Sequence, residues 1–189
     1  MNKKNVEINM QTYVTALCDM KADEICKTII HLKKIRKQGG SVFVCGNGGS
    51  AGNASHFASD LLLTSGIKAT CLNDNPSVYS ALINDVGWNN VYQEQLKIHA
   101  EKGDCLIVLS VHGGVGKQDA GDWSLNLNNA IDYAKKLGMS TIGISGATGG
   151  YFNICDMNII VESTSTPIVE GIHCALAHLI AFLLVRDEL

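Results

Sequence analysis

Proline is nearly absent from this chain of 189 residues, with two in all, and aromatic residues make up only 6%. That composition excludes collagen-like and disordered low-complexity classes. Charge of one sign is also lacking: the formal net charge is −3, which gives no long-range attraction for nucleic acid. The one basic cluster, Lys33-Lys34-Ile35-Arg36-Lys37, falls at the end of a helical pattern, where cations complement the helix dipole. No run of about 18 apolar residues is found, and Met1-Asn2-Lys3-Lys4-Asn5-Val6-Glu7 has no signal-peptide core. Neither membrane partners nor export are expected, and the expected location is cytoplasmic. The seven cysteines include no C-x-x-C pair, and several lie in apolar runs, so they read as reduced, buried thiols.

What is present fits one compact domain over residues 1–189: 46% hydrophobic residues and 19 glycines. Apolar residues Ile25, Ile29, Leu32 and Ile35 recur at helical spacing until Gly39-Gly40. Strands are predicted at 41–45, 69–72, 105–110, 140–145 and 157–161. Helices are predicted after Gly46, over 77–83, 89–100, 124–137 and about 167–184. Continuous β-branched runs alternating with helices argue for an α/β fold, a single doubly wound, largely parallel sheet with helices on both faces in a Rossmann-like or flavodoxin-like three-layer sandwich. Ligands bind such sheets at the carboxyl ends of strands, so the loops after Cys45, Ser110 and Ser145 should share one edge.

The first of those loops, Gly46-Asn47-Gly48-Gly49-Ser50, leads from a strand into a helix. Glycine amides and a small hydroxyl there can approach an anion at a helix N-terminus. It carries neither G-x-G-x-x-G nor a G-K-[ST] ending, so dinucleotide and P-loop readings are poor. On the same helix His56 and Asp60 stand four residues apart and point the same way. On spacing alone, a simple hydrogen bond between them accounts for the pair. Glu170 and His178 lie eight residues apart on the last helix, roughly 80° around its axis, so both can face one cleft. His173 is about 140° from His178 and is expected on a packing or subunit face. His31 reads as structural or exposed, His99 as an exposed helix end, and Trp88 and Trp123 as packing residues, with a cover over the site as the alternative for Trp123.

Three segments together resemble the sugar isomerase (SIS) domain family, most closely its phosphoheptose isomerases: Gly46 to Phe57, Asn84-Asp85-Val86-Gly87-Trp88, and Val169-Glu170-Gly171-Ile172-His173 with His178. The resemblance covers nearly the whole chain. It implies a ketose–aldose isomerase acting on sedoheptulose 7-phosphate through an enediol(ate), for heptose nucleotide and surface polysaccharide synthesis. It also implies a homotetramer, with residues 1–39 in oligomer packing, and one zinc ion per subunit. By the same resemblance Asn47, Gly48, Gly49, Ser50, Asn84, Asp85, Ser110, His112 and Ser124 bind substrate. His56, Asp60, Glu170 and His178 hold the metal, and Asp60, Glu170 and His178 take the catalytic roles.

The chain departs from the family pattern at three places. Asp60 stands where glutamate is usual and Glu170 where glutamine is usual. The loop that normally reads Ser-Thr-Ser-Gly-Asn-Ser is here a longer segment from Ser110 to Ser124, in which glycine amides, His112 or Lys117 could replace a missing serine's hydrogen bond to phosphate. The carboxylate exchange suggests that Glu170 shares or takes over the base role while Asp60 serves mainly the metal. A different phosphosugar, or a non-catalytic SIS tetramer that binds a replication initiator or senses a sugar phosphate, stands as the alternative.

Overall fold

The computed structural model describes residues 2–115 and 124–186. Five strands, β1 (Ser41–Gly46), β2 (Lys68–Cys71), β3 (Cys105–Ser110), β4 (Ser140–Gly146) and β5 (Met157–Val161), form one sheet in the order β2-β1-β3-β4-β5. Every pairing is parallel. The chain leaves β1 in one direction to reach β2 and returns past it to place β3 on the other side. That reversal opens a crevice between the ends of β1 and β3.

Side chains alternate across the strands, and the two faces are covered by different helices. On one face, α2 (Ala22–Gln38), α3 (Gly49–Leu63) and α7 (Thr166–Leu184) enclose Val42, Val44, Ile107, Ile142 and Ile159. On the other, α5 (Val91–His99) and α6 (Leu125–Leu137) cover Phe43, Leu106 and Val108, with Tyr92 and Phe152 at the centre. Both faces of β3 are therefore buried, which is why Cys105 to Leu109 reads as an unbroken apolar run. Helix α2 ends as its sequence suggests: Gly39 adopts φ 72° and caps the last turn after Arg36 and Lys37. Helix α7 has a mean hydropathy of 1.8 over an 18-residue window. Its apolar side, from Val169 through Leu176 and Ile180 to Leu184, is spent against α3 and the sheet.

Residues 2–39 hold two helices. The first, α1 (Lys3–Cys18), buries only Ala16 and leaves Val6, Ile8, Met10, Val14 and Leu17 exposed. It is fixed by the Tyr13 hydroxyl, which donates to the Pro167 carbonyl at 2.9 Å. Helix α4 (Pro76–Val86) likewise buries no residue completely.

Cys45, Cys71 and Cys105 are buried in the sheet, and burial pushes the Cys71 and Cys105 thiols up to about 12 and that of Cys45 well above its ordinary value. His31, expected to be structural or exposed, bonds Ser140 Oγ through Nε2 at 2.7 Å, while His99 is an exposed helix end. Ile107 is fully buried at the middle of the central strand. Replacing it with alanine is expected to cost about 2–5 kcal/mol, read as a lower urea midpoint at fixed protein concentration with an unchanged denaturant slope.

Candidate active site

Loops after β1 and β3 meet at the crevice and enclose a pocket of about 370 Å³. Asn47, Gly48, Gly49 and Ser50 form one wall, and Ser110, Val111 and His112 another. Ser124 at the start of α6, Trp88, and Thr166 and Glu170 on α7 complete it. Two glycines shape the first wall. A Cβ on Gly46 would lie 2.5 Å from the Ser50 carbonyl oxygen, and Gly48 takes φ 58° as the residue preceding α3. Ser50 is buried in the first turn of α3, so its hydroxyl and the helix end face the pocket together. Ser110 Oγ accepts from the backbone amides of His112 at 3.3 Å and Gly114 at 3.4 Å, which holds the second wall in a tight turn.

Among the described residues, the lining contains no lysine or arginine. An anion here would be met by the α3 terminus, hydroxyls and His112, a neutral cradle of the kind helix N-termini provide. Glu170 already places a carboxylate against that terminus: a Cβ on Gly49 would be 2.5 Å from its carboxylate atoms. Asn53 Nδ2 donates to the Glu170 carbonyl at 2.9 Å and locks α3 to α7 at this level.

Farther along the same two helices, His56, Asp60 and His178 converge. Asp60 Oδ2 lies 3.5 Å from His56 Nε2 and 3.0 Å from His178 Nδ1, and the two imidazoles stack edge to face at 4.6 Å. One ligand atom from each of the three falls within 4.8 Å of the others. Asp60 Oδ2 is buried, and its contact with His178 lacks hydrogen-bond geometry, so a carboxylate oxygen is left with an unfilled demand. Two imidazole nitrogens and a carboxylate are the donor set of an open zinc site. The residues present therefore fit a metal.

Most of the expected site residues are drawn together here, with three differences. Glu170, expected as a fourth ligand, is not in the His56–Asp60–His178 group; it points into the pocket two helical turns away. Asn84 and Asp85 are exposed on α4, bonded to each other at 3.0 Å, and do not line the pocket of a single chain. The inserted segment from Gly116 to Trp123, including Lys117, lies outside the described residues. Trp88, read as packing, is a pocket wall, and Thr166 was missed although the Thr-Pro step marks it as a helix start.

The fold matches known proteins. The profile for the SIS domain matches residues 8–146, and the chain belongs to the SIS domain family. Phosphoheptose isomerase of Aliarcobacter butzleri is 37% identical over 150 residues, covering 76% of this chain and 75% of that one. The Rhodospirillum rubrum phosphoheptose isomerase is 36% identical over 159 residues, covering 81% and 79%. The structure of a phosphoheptose isomerase from Francisella tularensis superposes with a TM-score of 0.87 at 22% identity, covering 99% of this chain and 100% of that chain, and shows the shared fold.

His173 faces away from this site, fully buried, with no well-formed hydrogen bond to either ring nitrogen. Burial lowers its pKa from 6.5 to about 4, opposed by the Ser145 backbone. Because the unfolded chain binds the proton first, near pH 6.5, the native state loses stability as pH falls from there toward 4. The loss should level off at on the order of 3 kcal/mol. His173→Leu is expected to flatten that part of the stability–pH curve, measured by urea denaturation between pH 7 and 4.

Proposed function

We propose that this protein is a ketose–aldose isomerase that converts sedoheptulose 7-phosphate to D-glycero-D-manno-heptose 7-phosphate, serving heptose nucleotide synthesis for surface polysaccharide in the cytoplasm. One observation carries the reading. Helices α3 and α7 run side by side in the same direction, with the anion cradle at their N-terminal ends and the His56–Asp60–His178 group farther along both. From Glu170 to His178 the rise is about 12 Å. A substrate must then carry its anionic group in the cradle and its reacting carbons between Glu170 and His178, as a long sugar phosphate does. The relatives named phosphoheptose isomerase, at 36–37% identity, support the same substrate.

The isomerisation moves a proton between two adjacent carbons and rearranges protons on their oxygens. Glu170 has its carboxylate inside the pocket and serves as the carbon base toward a carbon held between it and His178. Asp60 is held between two imidazoles and is one methylene shorter than glutamate, so it orients His178 rather than reaching the substrate carbon. His178 moves the proton between the two oxygens. His56, Asp60 and His178 would hold zinc, which when bound supplies positive charge for the developing oxyanion.

A homotetramer fits the exposed apolar side of α1 and the unburied α4. In that assembly α1 packs between subunits, and Asn84 and Asp85 reach an adjoining pocket.

Incubating sedoheptulose 7-phosphate with the protein and one equivalent of zinc should give new aldose anomeric signals by NMR, lost on chelation and in His178→Ala. An unchanged spectrum from folded, zinc-loaded protein would move the assignment to another phosphosugar or to a sensor role. Glu170→Gln is expected to lower kcat by about 100-fold or more while zinc content is kept. Asp60→Asn should lose zinc as well as turnover. Near-normal turnover in Glu170→Gln would return the base role to Asp60.

A further inference from the structure

Behind the glycine loop lies a set of polar side chains that touch neither the metal group nor the proton path. Asn47 and Asn126 form a reciprocal amide pair: each Nδ2 donates to the other's Oδ1 at 2.9 Å. Asn126 is fully buried in the first turn of α6, and its Oδ1 also accepts the Leu127 amide at 2.9 Å. Tyr92, also fully buried, has one proton to give, and its shortest contact is the Gly46 carbonyl at 2.6 Å; Asn47 Oδ1 lies 3.0 Å away. Asn73 Nδ2 donates to the Tyr92 hydroxyl at 2.8 Å and to the Gly46 carbonyl at 3.0 Å.

We infer that Asn126 and Tyr92 are positioning residues that clamp the loop after β1 to the start of α6, and that Asn47 acts through this clamp rather than by binding substrate itself. Asn47 has its carbonyl oxygen occupied by the Asn126 amide and one of its two N–H groups committed to Asn126, with the Tyr92 hydroxyl 3.0 Å from that oxygen, so its amide is turned inward. The clamp joins the two separate walls of the cradle, Gly48 to Ser50 and Ser124. It matters because that cradle has no cation among its described residues. Neutral donors bind an anion well only when their directions are fixed beforehand, and a buried, fully satisfied amide network is the device that fixes them.

The inference rests on reading the pocket as a sugar-phosphate site, and the test separates the two. Asn126→Asp keeps the oxygen that accepts from Asn47 and Leu127 and suits the N-terminus of α6, so the helix start survives, but the donor to Asn47 is replaced by an oxygen. Tyr92→Phe removes the Gly46 link without adding charge. Each should raise KM for sedoheptulose 7-phosphate and Kd for inorganic phosphate about tenfold, the effect of one lost buried hydrogen bond, while kcat changes less than about threefold. Hydrogen exchange at the amides of residues 48–51 should quicken in both variants while that of β3 stays constant. Asn47→Ala should add little further loss when combined with Asn126→Asp.

Wild-type exchange rates at residues 48–51 in both variants would overturn the clamp. So would an Asn47→Ala penalty of equal size in both backgrounds, which marks a direct substrate contact. If the wild-type protein binds neither phosphate nor the sugar phosphate, the site reading fails, and the exchange comparison still decides whether the clamp exists.

Discussion

Close, same-direction packing of α3 against α7 is the constraint on which the site depends. Small residues make it possible: Ala54 and Ala58 on α3 and Ala177 and Ala181 on α7 are buried and let the helix axes approach. Two further ties fix the level of one helix against the other, Asn53 to the Glu170 carbonyl and Ser65 Oγ to the Ala181 carbonyl at 3.1 Å. With direction and level set, each helix contributes to both ends of the site. Ser50 and Glu170 meet at one end, and His56, Asp60 and His178 at the other. A shift of one residue along either helix would separate the imidazoles by rotating one of them through about 100°.

The strand order supplies the rest. Because β1 and β3 are neighbours while their following helices lie on opposite faces, the loops that leave them diverge and expose the crevice. The walls come from segments far apart in sequence, and the polar network behind Asn47 holds them in register where the sheet hydrogen bonds have ended.

Much of this was legible in the sequence because the signals are local. The β3 and β5 runs, with both faces or one end covered, announce their limits to the residue, and Gly39 and Gly138 mark helix ends by their need for the left-handed region. Helix α1 was not read as a separate element: its apolar residues Val6, Met10, Val14 and Leu17 are exposed with only Ala16 buried, and its separation from α2 at Asp19 to Lys21 did not show. In the site, His56 and Asp60 were visible through their helical spacing. Asn126 and Tyr92 were not, since each meaning arises from a partner 79 or 45 residues away. A polar residue between Leu125 and Leu127 in an otherwise apolar stripe was the one available hint. Glu170 was found by resemblance, but only the packing against Gly49 separates it from the imidazole group.

Cys45, the last side chain before the glycine loop, has a further chemical consequence. Its side chain is fully buried in the core under α5 and α6 and does not line the pocket, so a thiol able to add to a carbonyl and form a hemithioacetal is kept out of a site whose product is an aldehyde. Burial with Cys71 and Cys155 nearby keeps its proton in place, and a protonated thiol is a poor nucleophile. The same apolar strand that presents the loop thereby keeps this thiol from the enzyme's own electrophile.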